Sequence, residues 1–554
     1  MRPQGFDVIV VGAGSAGCAL AAGLATDPSV SVLLLEAGSG RRRPESTVPA
    51  LYSRLFRSRM DWAYRTEPQA QLGGRRLFWP RGRTLGGSSA INDMVYVRGN
   101  PADFDGWAAT GNPGWDHASL RPHFAAVEHR LWGDGGPGAE DRWTAPRTAD
   151  FLAAAERVGL PRNDGFNGAA QDGVGRHQVT QRRGRRVSAA DAYLRPAPAN
   201  LTVLTGARVT GLDFCGSRVV GVRWLRHGHS EHARATGEVV LTGGAVNTPA
   251  LLMTAGIGDA DALRRLGIQV RADRPGVGRE LQDHLMVPMC WRSVEPTSLL
   301  DGRRPARVVE YLRHSRGPLA SNIGQAGAFV RSRPDLAAPD LQLVFAPVLL
   351  DGVRDDRVVE PTEHGYSIGA ILLQPGSRGR IGLHSADPLD RPVIAPNYLT
   401  DPDDLATLVR GVRLALRIGA TTPLAGAARD PHPLAGASDA AIERVIRTSV
   451  DTMFHPVGTC RMGPASDRGA VVDATLAVHG VDGLRVADAS IMPTITRGNT
   501  HAPVSAIADR AAALILAAHR PPARINNAGA DQPADNVTGG AAVDDFIRAG
   551  GRPR

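Results

Sequence analysis

The sequence predicts a two-domain α/β protein, with a parallel-sheet domain that is discontinuous along the chain and a second domain built on an antiparallel sheet. Three observations predict this arrangement. The chain begins with a strand–turn–helix–strand pattern. Two further segments with strand-like patterns lie far downstream, and the residues between those two segments alternate polar and apolar side chains. The 554 residues suffice for about two to four lobes of ordinary size.

The opening pattern has the clearest local signal. Phe6–Val11 is a largely β-branched apolar run, typical of a buried parallel strand. The residues from Cys18 to Ala25 predict a helix of small side chains, and Val30–Leu35 predicts the next strand. The first strand meets the helix at Gly12-Ala-Gly14-Ser-Ala-Gly17.

Each glycine of this turn has a mechanical role. Gly12 permits the tight turn, Gly14 lets the backbone approach a pyrophosphate, and Gly17 lets the helix pack on the strand. The helix N-terminus then offers N–H groups and a partial positive charge to phosphates. Glu36 follows Gly17 by 19 residues, near the ~20 expected for an acid that binds a ribose hydroxyl. The unit predicts a Rossmann-like dinucleotide-binding domain, the alternative being a glycine-rich turn in a nucleotide-free sheet.

Two distant segments favour a flavoprotein over a nicotinamide-dependent dehydrogenase. Val239-Val240 leads into a glycine turn and the helix-like run Gly244–Leu252, and Gly483–Asp488 is a strand that ends in an acid. Both segments should return to the first sheet. A simple nicotinamide-dependent dehydrogenase keeps its nucleotide fold in one contiguous block, so the scattered arrangement fits a flavin dinucleotide better.

The domain boundaries follow from these differences in hydrophobic pattern along the chain. Alternation in Asp340–Phe345 and Tyr366–Leu373 predicts an antiparallel sheet with helices, facing the substrate. The predicted cofactor-binding domain takes residues 1–150, 195–288 and 450–520, and the predicted substrate-binding domain takes residues 151–194 and 289–449. Residues 521–554, rich in Ala, Gly, Asn, Asp and Pro, predict a disordered tail.

Composition excludes several classes of function. The chain has 64 basic and 55 acidic residues, a net charge of +9, and every basic residue is an arginine. Without lysine there is no Schiff-base chemistry, no pyridoxal-phosphate anchor and no Walker A motif. The densest basic runs, Arg41–Arg43 and Arg182–Arg186, have no interleaved aromatic residues, so we expect no nucleic-acid partner.

The cysteines and the chain start bear on the compartment. No pair of cysteines has zinc-binding or CxxC spacing, so we expect a reducing environment and assign no metal ligand; the four are Cys18, Cys215, Cys290 and Cys460. We expect no signal peptide before the first strand, and no apolar run approaches the ~18–20 residues of a membrane helix. We therefore expect a cytoplasmic protein, and its pI near 10 is compatible with a peripheral location at the inner membrane.

Four blocks of the sequence resemble the glucose–methanol–choline (GMC) oxidoreductases. They are Arg81–Asn92, Gly244–Gly258, His455–Gly463 and Gly483–Pro493, and their order and spacing agree from Phe6 to about Ala518. The resemblance implies a bound FAD and the oxidation of an alcohol to an aldehyde or ketone. Some segments are similar to choline dehydrogenases and to the actinobacterial members associated with mycofactocin.

The resemblance places His455 at the family's catalytic position and Asn499 at the position of a second His or Asn. A neutral histidine, with an ordinary pKa of ~6.5, can remove the hydroxyl proton while hydride passes to flavin N5. The Asn499 amide can donate a hydrogen bond to the developing alkoxide. His501 is a weaker candidate that is expected to line the pocket, and His284 is expected to order a loop near the flavin.

The resemblance also implies a set of cofactor contacts from the opening unit, the first signature, one mid-chain strand and the C-terminal blocks. They are Gly12, Gly14, Ser15, Ala16, Gly17, Glu36, Arg83, Gly87, Ser88, Asn92, Val209, Asp488, Ala489, Asn499 and Thr500. Ile91 stands where members with covalent flavin have a histidine, so the FAD is expected to be non-covalent.

Two departures from the family pattern bear on activity. Asp93 stands where a small residue is usual, and a carboxylate at the flavin N5 edge would oppose the charge of the reduced flavin. It could instead point away, be protonated or face a cationic substrate. Gln325 replaces the glutamate of the choline dehydrogenase pattern Asn-x-x-Glu-Ala-Gly, which disfavours a quaternary ammonium substrate.

Alternatives to alcohol oxidation remain open at this point. They are a flavin-dependent lyase or other non-redox member of the fold, and a flavin-binding protein silenced by Asp93. The sequence also leaves open the alcohol, the oligomeric state and the electron acceptor, which could be a quinone, a protein or oxygen.

Overall fold

The structure is a computed structural model that describes residues 5–41, 43–133, 143–350, 353–354, 357–358 and 361–519. The tail predicted for residues 521–554 lies outside these residues. The helices are α1 (Ser15–Leu24), α2 (Pro44–Thr47), α3 (Pro101–Ala109), α4 (His117–Trp132), α5 (Pro146–Arg157), α6 (Ala189–Tyr193), α7 (Gly244–Thr254), α8 (Ala260–Arg265), α9 (Pro305–His314), α10 (Pro402–Gly419), α11 (Asp439–Ser449) and α12 (His501–His519).

The strands are mostly short and belong to two large sheets and several small ribbons. They are β1 (Gly5–Val11), β2 (Val32–Glu36), β3 (Tyr64–Arg65), β4 (Phe78–Trp79), β5 (Val95–Tyr96), β6 (Gly173–Arg176), β7 (Gln178–Val179), β8 (Gln181–Arg182), β9 (Arg185–Arg186), β10 (Leu201–Thr205), β11 (Arg208–Cys215), β12 (Arg218–Arg226), β13 (His229–Leu241), β14 (Ile257–Gly258), β15 (Ala272–Asp273), β16 (Leu285–Arg292), β17 (Ala326–Val330), β18 (Leu341–Ala346), β19 (Val353–Arg354), β20 (Arg357–Val358), β21 (Gly365–Leu372), β22 (Arg380–Gly382), β23 (Val393–Ala395), β24 (Asp451–Thr452) and β25 (Leu484–Val486).

The first large sheet has seven strands in the order β10-β2-β1-β13-β12-β11, with β25 paired to β13. Strands β10, β2, β1, β13 and β25 run parallel, whereas β11, β12 and β13 form an antiparallel extension. The register places Val239 opposite Leu484. The prediction that both distant segments return to the first sheet is therefore confirmed.

Burial explains the composition of the central strands. All five residues of β2 are buried, as expected for a parallel strand covered on both faces. Helix α1 packs on α12, which in turn contacts α4.

Helix α12 has 19 residues and is long and apolar enough to cross a membrane by length and composition, contrary to the sequence-based expectation. However, 61% of its most apolar 18-residue stretch is buried inside the protein.

The second large sheet has six strands in the order β24-β16-β21-β18-β17-β6, and every neighbouring pair is antiparallel. Helix α10 packs across β21, β18 and β16. The α/β fold class, with a discontinuous Rossmann-like sheet and an antiparallel sheet, is confirmed. Strand β24 and the first residues of β16 belong to this sheet, although they fall in ranges assigned from sequence to the cofactor-binding domain.

Candidate active site

A cavity of about 1060 Å³ extends from the turn after β1 to the edge of the six-stranded sheet. Its volume slightly exceeds the ~300–1,000 Å³ range typical of ligand sites. One end lies at the C-terminal ends of the parallel strands, where open α/β sheets bind their ligands. The other end is lined by Phe56, Phe454, His455 and Asn499.

Three helices begin at the cavity. Its lining includes Ser15 at the start of α1, Gly244 at the start of α7 and His501 at the start of α12. Each helix N-terminus has a partial positive charge and N–H groups that have no partner within the helix. At α7 the Gly244 N–H donates to Asp488 Oδ2 at 2.8 Å. The convergence of the three N-termini makes this end of the cavity suited to an anionic group such as a pyrophosphate.

The glycines of the two signatures let backbones approach closely at this end. Gly12 has φ +107°, and a Cβ atom there would lie 2.7 Å from the carbonyl oxygen of Thr242. Gly87 has φ +52°, and its Cβ would lie 2.6 Å from Gly14 Cα. A Cβ on Gly14 would have no heavy atom within 4 Å, which leaves the open side of this turn facing the cavity.

Glu36 is buried at the end of β2 and lines the cavity. Its Oε1 accepts a hydrogen bond from the Gly38 N–H at 2.7 Å, and its Oε2 accepts one from the Ala13 N–H at 3.1 Å. Burial raises the pKa of the carboxyl group to about 7. Glu36 therefore ties the glycine turn to β2 and still has lone pairs available for a ligand hydroxyl.

The structure brings together most of the predicted cofactor residues. Those that line the cavity are Gly12, Gly14, Ser15, Ala16, Glu36, Gly87, Ser88, Asn92, Val209, Asp488, Ala489, Asn499 and Thr500. Gly17 and Arg83 do not line it. A Cβ on Gly17 would overlap the Gly12 carbonyl oxygen, so Gly17 serves helix–strand packing, and the Arg83 guanidinium lies over the Trp62 ring at 4.8 Å.

Strand pairing in the second sheet brings two histidines together at the other end of the cavity. Leu285 at the start of β16 pairs with Thr452 in β24, and the Met453 N–H donates to the His284 carbonyl at 2.9 Å. This register brings His284, which precedes β16, next to His455, which follows β24. Their Nδ1 atoms lie 3.0 Å apart. The sequence-based role of His284 as a loop-ordering residue therefore misses its contact with His455.

The hydrogen bonds around the two histidines fix their tautomers. His284 Nε2 lies 3.0 Å from the Leu373 carbonyl, which can only accept, so Nε2 has the proton and the neutral ring has a lone pair on Nδ1. His455 Nδ1 must then donate to His284. Consequently His455 Nε2 has the lone pair, and the Asn499 amide Nδ2 lies 3.3 Å from it.

Burial keeps both histidines neutral. It lowers the pKa of His284 to about 3 and, with neighbouring positive charge, lowers the pKa of His455 well below its ordinary value. The His455 backbone N–H donates to Asp283 Oδ1 at 2.7 Å. Asp283 is itself buried, and its pKa is raised to about 6. The site thus presents a rigidly held neutral imidazole whose Nε2 can accept a proton.

His501, at the start of α12, also lines the cavity. Its Nδ1 lies 3.0 Å from Ser15 Oγ, and burial lowers its pKa to about 4. This bond joins the starts of α12 and α1. His501 therefore belongs to the helix-terminus end of the cavity, at the glycine turn.

Asp93 lines the cavity, but its carboxylate is used to hold the backbone of the second domain. Oδ1 accepts from the Ile323 N–H at 2.7 Å, and Oδ2 accepts from the Gly324 N–H at 2.8 Å. These two bonds join the end of the first signature to the loop before β17. This use of the carboxylate to position the loop is not among the alternatives considered from the sequence.

Gln325 lies outside the cavity lining. Its Oε1 accepts from the Ala145 N–H at 2.9 Å and from Thr148 Oγ1, while its Nε2 donates to Ser321 Oγ. Because this buried side chain does not reach the cavity, the loss of a carboxylate at position 325 says little about the substrate's charge. The position of Gln325 therefore does not count against a quaternary ammonium substrate.

The fold and the site define a protein with a Rossmann-like sheet and a ligand cavity at the C-terminal ends of its parallel strands. The GMC oxidoreductase family profiles match residues 6–286 and 375–508. An alcohol dehydrogenase [acceptor] of Pseudomonas putida is 40% identical over 92% of this chain and 96% of its own. Human mitochondrial choline dehydrogenase is 40% identical over 92% of this chain and 89% of its own.

A solved structure agrees with these relatives. Pyridoxine 4-oxidase from Mesorbium loti superposes with a TM-score of 0.84 at 35% identity, covering 93% of this chain and 100% of that one. The chain belongs to the GMC oxidoreductase family. This membership implies FAD, and the converging helix N-termini, the open Gly14 turn and Glu36 fit a flavin dinucleotide.

Proposed function

We propose that the protein is a GMC-type dehydrogenase that oxidises an alcohol to an aldehyde or ketone with non-covalent FAD. The observation that supports this most directly is the orientation of His455. Its Nε2 lone pair faces the Asn499 amide within the cavity, while its Nδ1 is held by a neutral His284. This is the arrangement required of a general base that acts on a hydroxyl group.

The residues of the chain would act in a simple order. The substrate hydroxyl enters between His455 and Asn499, and its proton moves to His455 Nε2. The Asn499 Nδ2–H then donates to the developing alkoxide oxygen, as an oxyanion-hole group does. The chemistry supplied by bound FAD is acceptance of the hydride from the carbinol carbon. The charge that forms on His455 is shared through Nδ1–H with the lone pair of His284.

The lining near His455 bears on cofactor attachment and substrate. Ile91 lines the cavity and has no group that could bond covalently to a flavin, which supports non-covalent binding. Phe56 packs edge-to-face on Tyr52 and on Phe454, with ring centroids 5.6 and 5.8 Å apart. Because this end is aromatic and apolar, we propose an alcohol with an apolar or aromatic body.

The electron acceptor is proposed to be a molecule other than oxygen, on the analogy of the Pseudomonas putida relative whose name specifies an acceptor. A lyase or a silent flavin-binding protein is less well supported. The silent alternative depended on an Asp93 carboxylate aimed at the flavin, and both oxygens of that carboxylate accept backbone hydrogen bonds.

The test is anaerobic mixing of the FAD-loaded protein with a panel of primary, secondary, aromatic and amino alcohols, while the oxidised-flavin absorption is followed. Bleaching by one class, lost in His455→Ala, would support the proposal and identify the substrate class. Reduction by dithionite but by no alcohol would favour the lyase or the silent protein. Failure to bind FAD would overturn the proposal.

A further inference from the structure

Helix α9 presents an apolar face that the rest of the described protein does not cover. Of its ten residues, only Tyr311 is buried. Val308, Val309 and Leu312 are 38%, 45% and 74% exposed, and they make up three of the five large hydrophobic residues exposed among the described residues. Their spacing places them on one side of a helix. A short helix is marginal in water alone, so an uncovered apolar side indicates a partner.

The basic run Arg182–Arg186, which no part of the proposed reaction uses, meets this helix. Strands β8 and β9 form a hairpin around Gly184, and the Tyr311 hydroxyl donates to the Gly184 carbonyl at 3.3 Å. A Cβ on Gly184 would lie 1.9 Å from the Ser315 carbonyl oxygen, so the hairpin tip rests directly on the end of α9. This contact places Arg183 and Arg185, both exposed, beside the helix.

The charge around the apolar face is strongly positive. Between Leu299 and Gly317 the chain has five arginines and two acidic residues, a net charge of +3 with histidine neutral. Arg313 and Arg316 are exposed, and the exposed hairpin arginines add to them. We name the combination of Val308, Val309 and Leu312 with Arg183, Arg185, Arg313 and Arg316 the α9 face.

The α9 face also borders the cavity. Val308 and Leu312 are exposed on the surface and line the cavity as well, as does the buried Tyr311 between them. Any surface that covers the α9 face therefore covers the part of the cavity that Val308, Tyr311 and Leu312 line.

We propose that the α9 face docks on an anionic lipid bilayer. Aliphatic side chains at the centre of a helix surrounded by arginines can enter the acyl boundary while the guanidinium groups remain at the headgroups. A second copy of this chain is a poorer occupant, because a stable protein interface needs about 20–30 residues a side and a protruding helix of ten residues offers few. Nucleic acid is also poorer, because aliphatic side chains cannot stack on bases.

Docking would open the cavity toward the hydrocarbon phase. If the proposed dehydrogenase activity holds, the docked enzyme could exchange electrons with a lipid-soluble acceptor of the quinone class without release into water. This consequence depends on the proposed function, whereas docking itself does not.

The test measures sedimentation of the FAD-loaded full-length protein with vesicles of phosphatidylcholine, with and without phosphatidylglycerol. We expect binding to the anionic vesicles that weakens as salt is raised. Leu312→Glu should weaken this binding about ten- to a hundredfold, the cost of losing one buried leucine. Arg313→Ala with Arg316→Ala should reduce binding to anionic vesicles and flatten its dependence on salt.

Matched controls separate docking from general effects. Leu389→Glu changes a 41% exposed leucine elsewhere, and Arg264→Ala with Arg265→Ala removes two exposed arginines from α8; neither should change binding. Flavin absorbance and thermal unfolding of each variant show whether it folds. Absence of binding by the wild type, or equal binding by Leu312→Glu, would overturn the proposal. So would a wild-type dimer in sedimentation velocity that Leu312→Glu converts to monomer.

The vesicle assay does not involve an alcohol. If the wild-type protein does not bind the vesicles but is bleached by an alcohol, the α9 proposal alone is rejected. If it binds the vesicles but no alcohol bleaches it, the dehydrogenase alone is rejected.

Discussion

The Nδ1 atoms of His284 and His455 lie 3.0 Å apart, and the planes of their rings are perpendicular. Since two neutral Nδ1 atoms at this distance need one donor and one acceptor, the state of one ring dictates that of the other. The backbone carbonyl of Leu373 fixes His284, and His284 in turn fixes His455. The main-chain oxygen of the residue that follows β21 thus determines which nitrogen of the proposed base is free.

Replacement of His455 should remove the base. For His455→Ala we expect the rate of anaerobic flavin reduction by the best alcohol to fall about 10²–10⁴-fold, with FAD still bound. Stopped-flow absorbance measures the rate. His229→Ala, which changes an exposed histidine of β13, is the control and should leave the rate unchanged. A similar loss in both variants would contradict the assignment.

His284 should act as a positioning residue. His284→Ala leaves the His455 Nδ1–H without its acceptor, and we expect kcat to fall about 10–100-fold with KM nearly unchanged. His284→Asn can still accept from His455 and donate to Leu373, so it should recover part of the lost rate. A rise in KM alone, or no difference between the two variants, would show that His284 only fills space.

Protonation of His284 should make stability depend on pH. Its pKa is about 3 in the fold against ~6.5 in the unfolded chain, so below pH 6.5 the unfolded chain binds the extra proton. Between pH 7 and pH 5 the free energy of unfolding of the wild type should therefore fall by about 2 kcal/mol relative to that of His284→Asn, which lacks the titrating group. Urea unfolding at the two pH values measures the difference. A pH-independent gap between the two proteins would refute the buried neutral state.

Asp93→Gly should lower the free energy of unfolding of the protein. The change removes both acceptors for the Ile323 and Gly324 N–H groups, at a cost of about 2–4 kcal/mol. We expect a lower midpoint temperature of thermal unfolding and a slower reduction of the flavin by the alcohol. Asp335→Gly, at an exposed aspartate, should be close to wild type. A gain of activity in Asp93→Gly would revive the silent-protein alternative.

Gly87→Ala should impair FAD binding. The new Cβ would lie 2.6 Å from Gly14 Cα at a residue with φ +52°, which forces the two turns apart and costs about 1–3 kcal/mol of backbone strain. The flavin-to-protein absorbance ratio after gel filtration reports the loss. A Cβ on Gly106 in α3 would have no heavy atom within 4 Å, so Gly106→Ala should raise the free energy of unfolding by up to about 1 kcal/mol. Equal FAD retention by the two variants would contradict the close approach.

Local patterns predicted the nucleotide end of the site well. The β-branched run before Gly12 and the apolar run before Glu36 were sufficient to predict β1, β2 and the turn between them, because burial on both faces of a parallel sheet leaves a direct trace in composition. The family blocks then located His455 and Asn499, and these lie together in the structure.

Features that depend on long-range register could not be predicted from local patterns. His284 contacts His455 only because β16 pairs with β24 across more than 160 residues. The sequence indicated that Leu281-Gln-Asp-His284 lies near the flavin, but it did not indicate this contact. The direction of the Asp93 carboxylate depends on a loop near residue 323 of the other domain. The apolar face of α9 has the periodicity of a core helix, and only the packing shows that it is uncovered.

The order of the strands in the first sheet has a consequence for biosynthesis. The first strand, β1, ends at Val11, but its sheet is completed by β25, which begins at Leu484. A ribosome that adds about 5–20 residues per second needs about 25–100 s to synthesise the intervening chain. Throughout that time the surface of α1 that α12 later covers is exposed on the nascent polypeptide. We therefore expect newly made chains to depend on chaperones until the last helix emerges, and the cofactor to join only after translation is nearly finished.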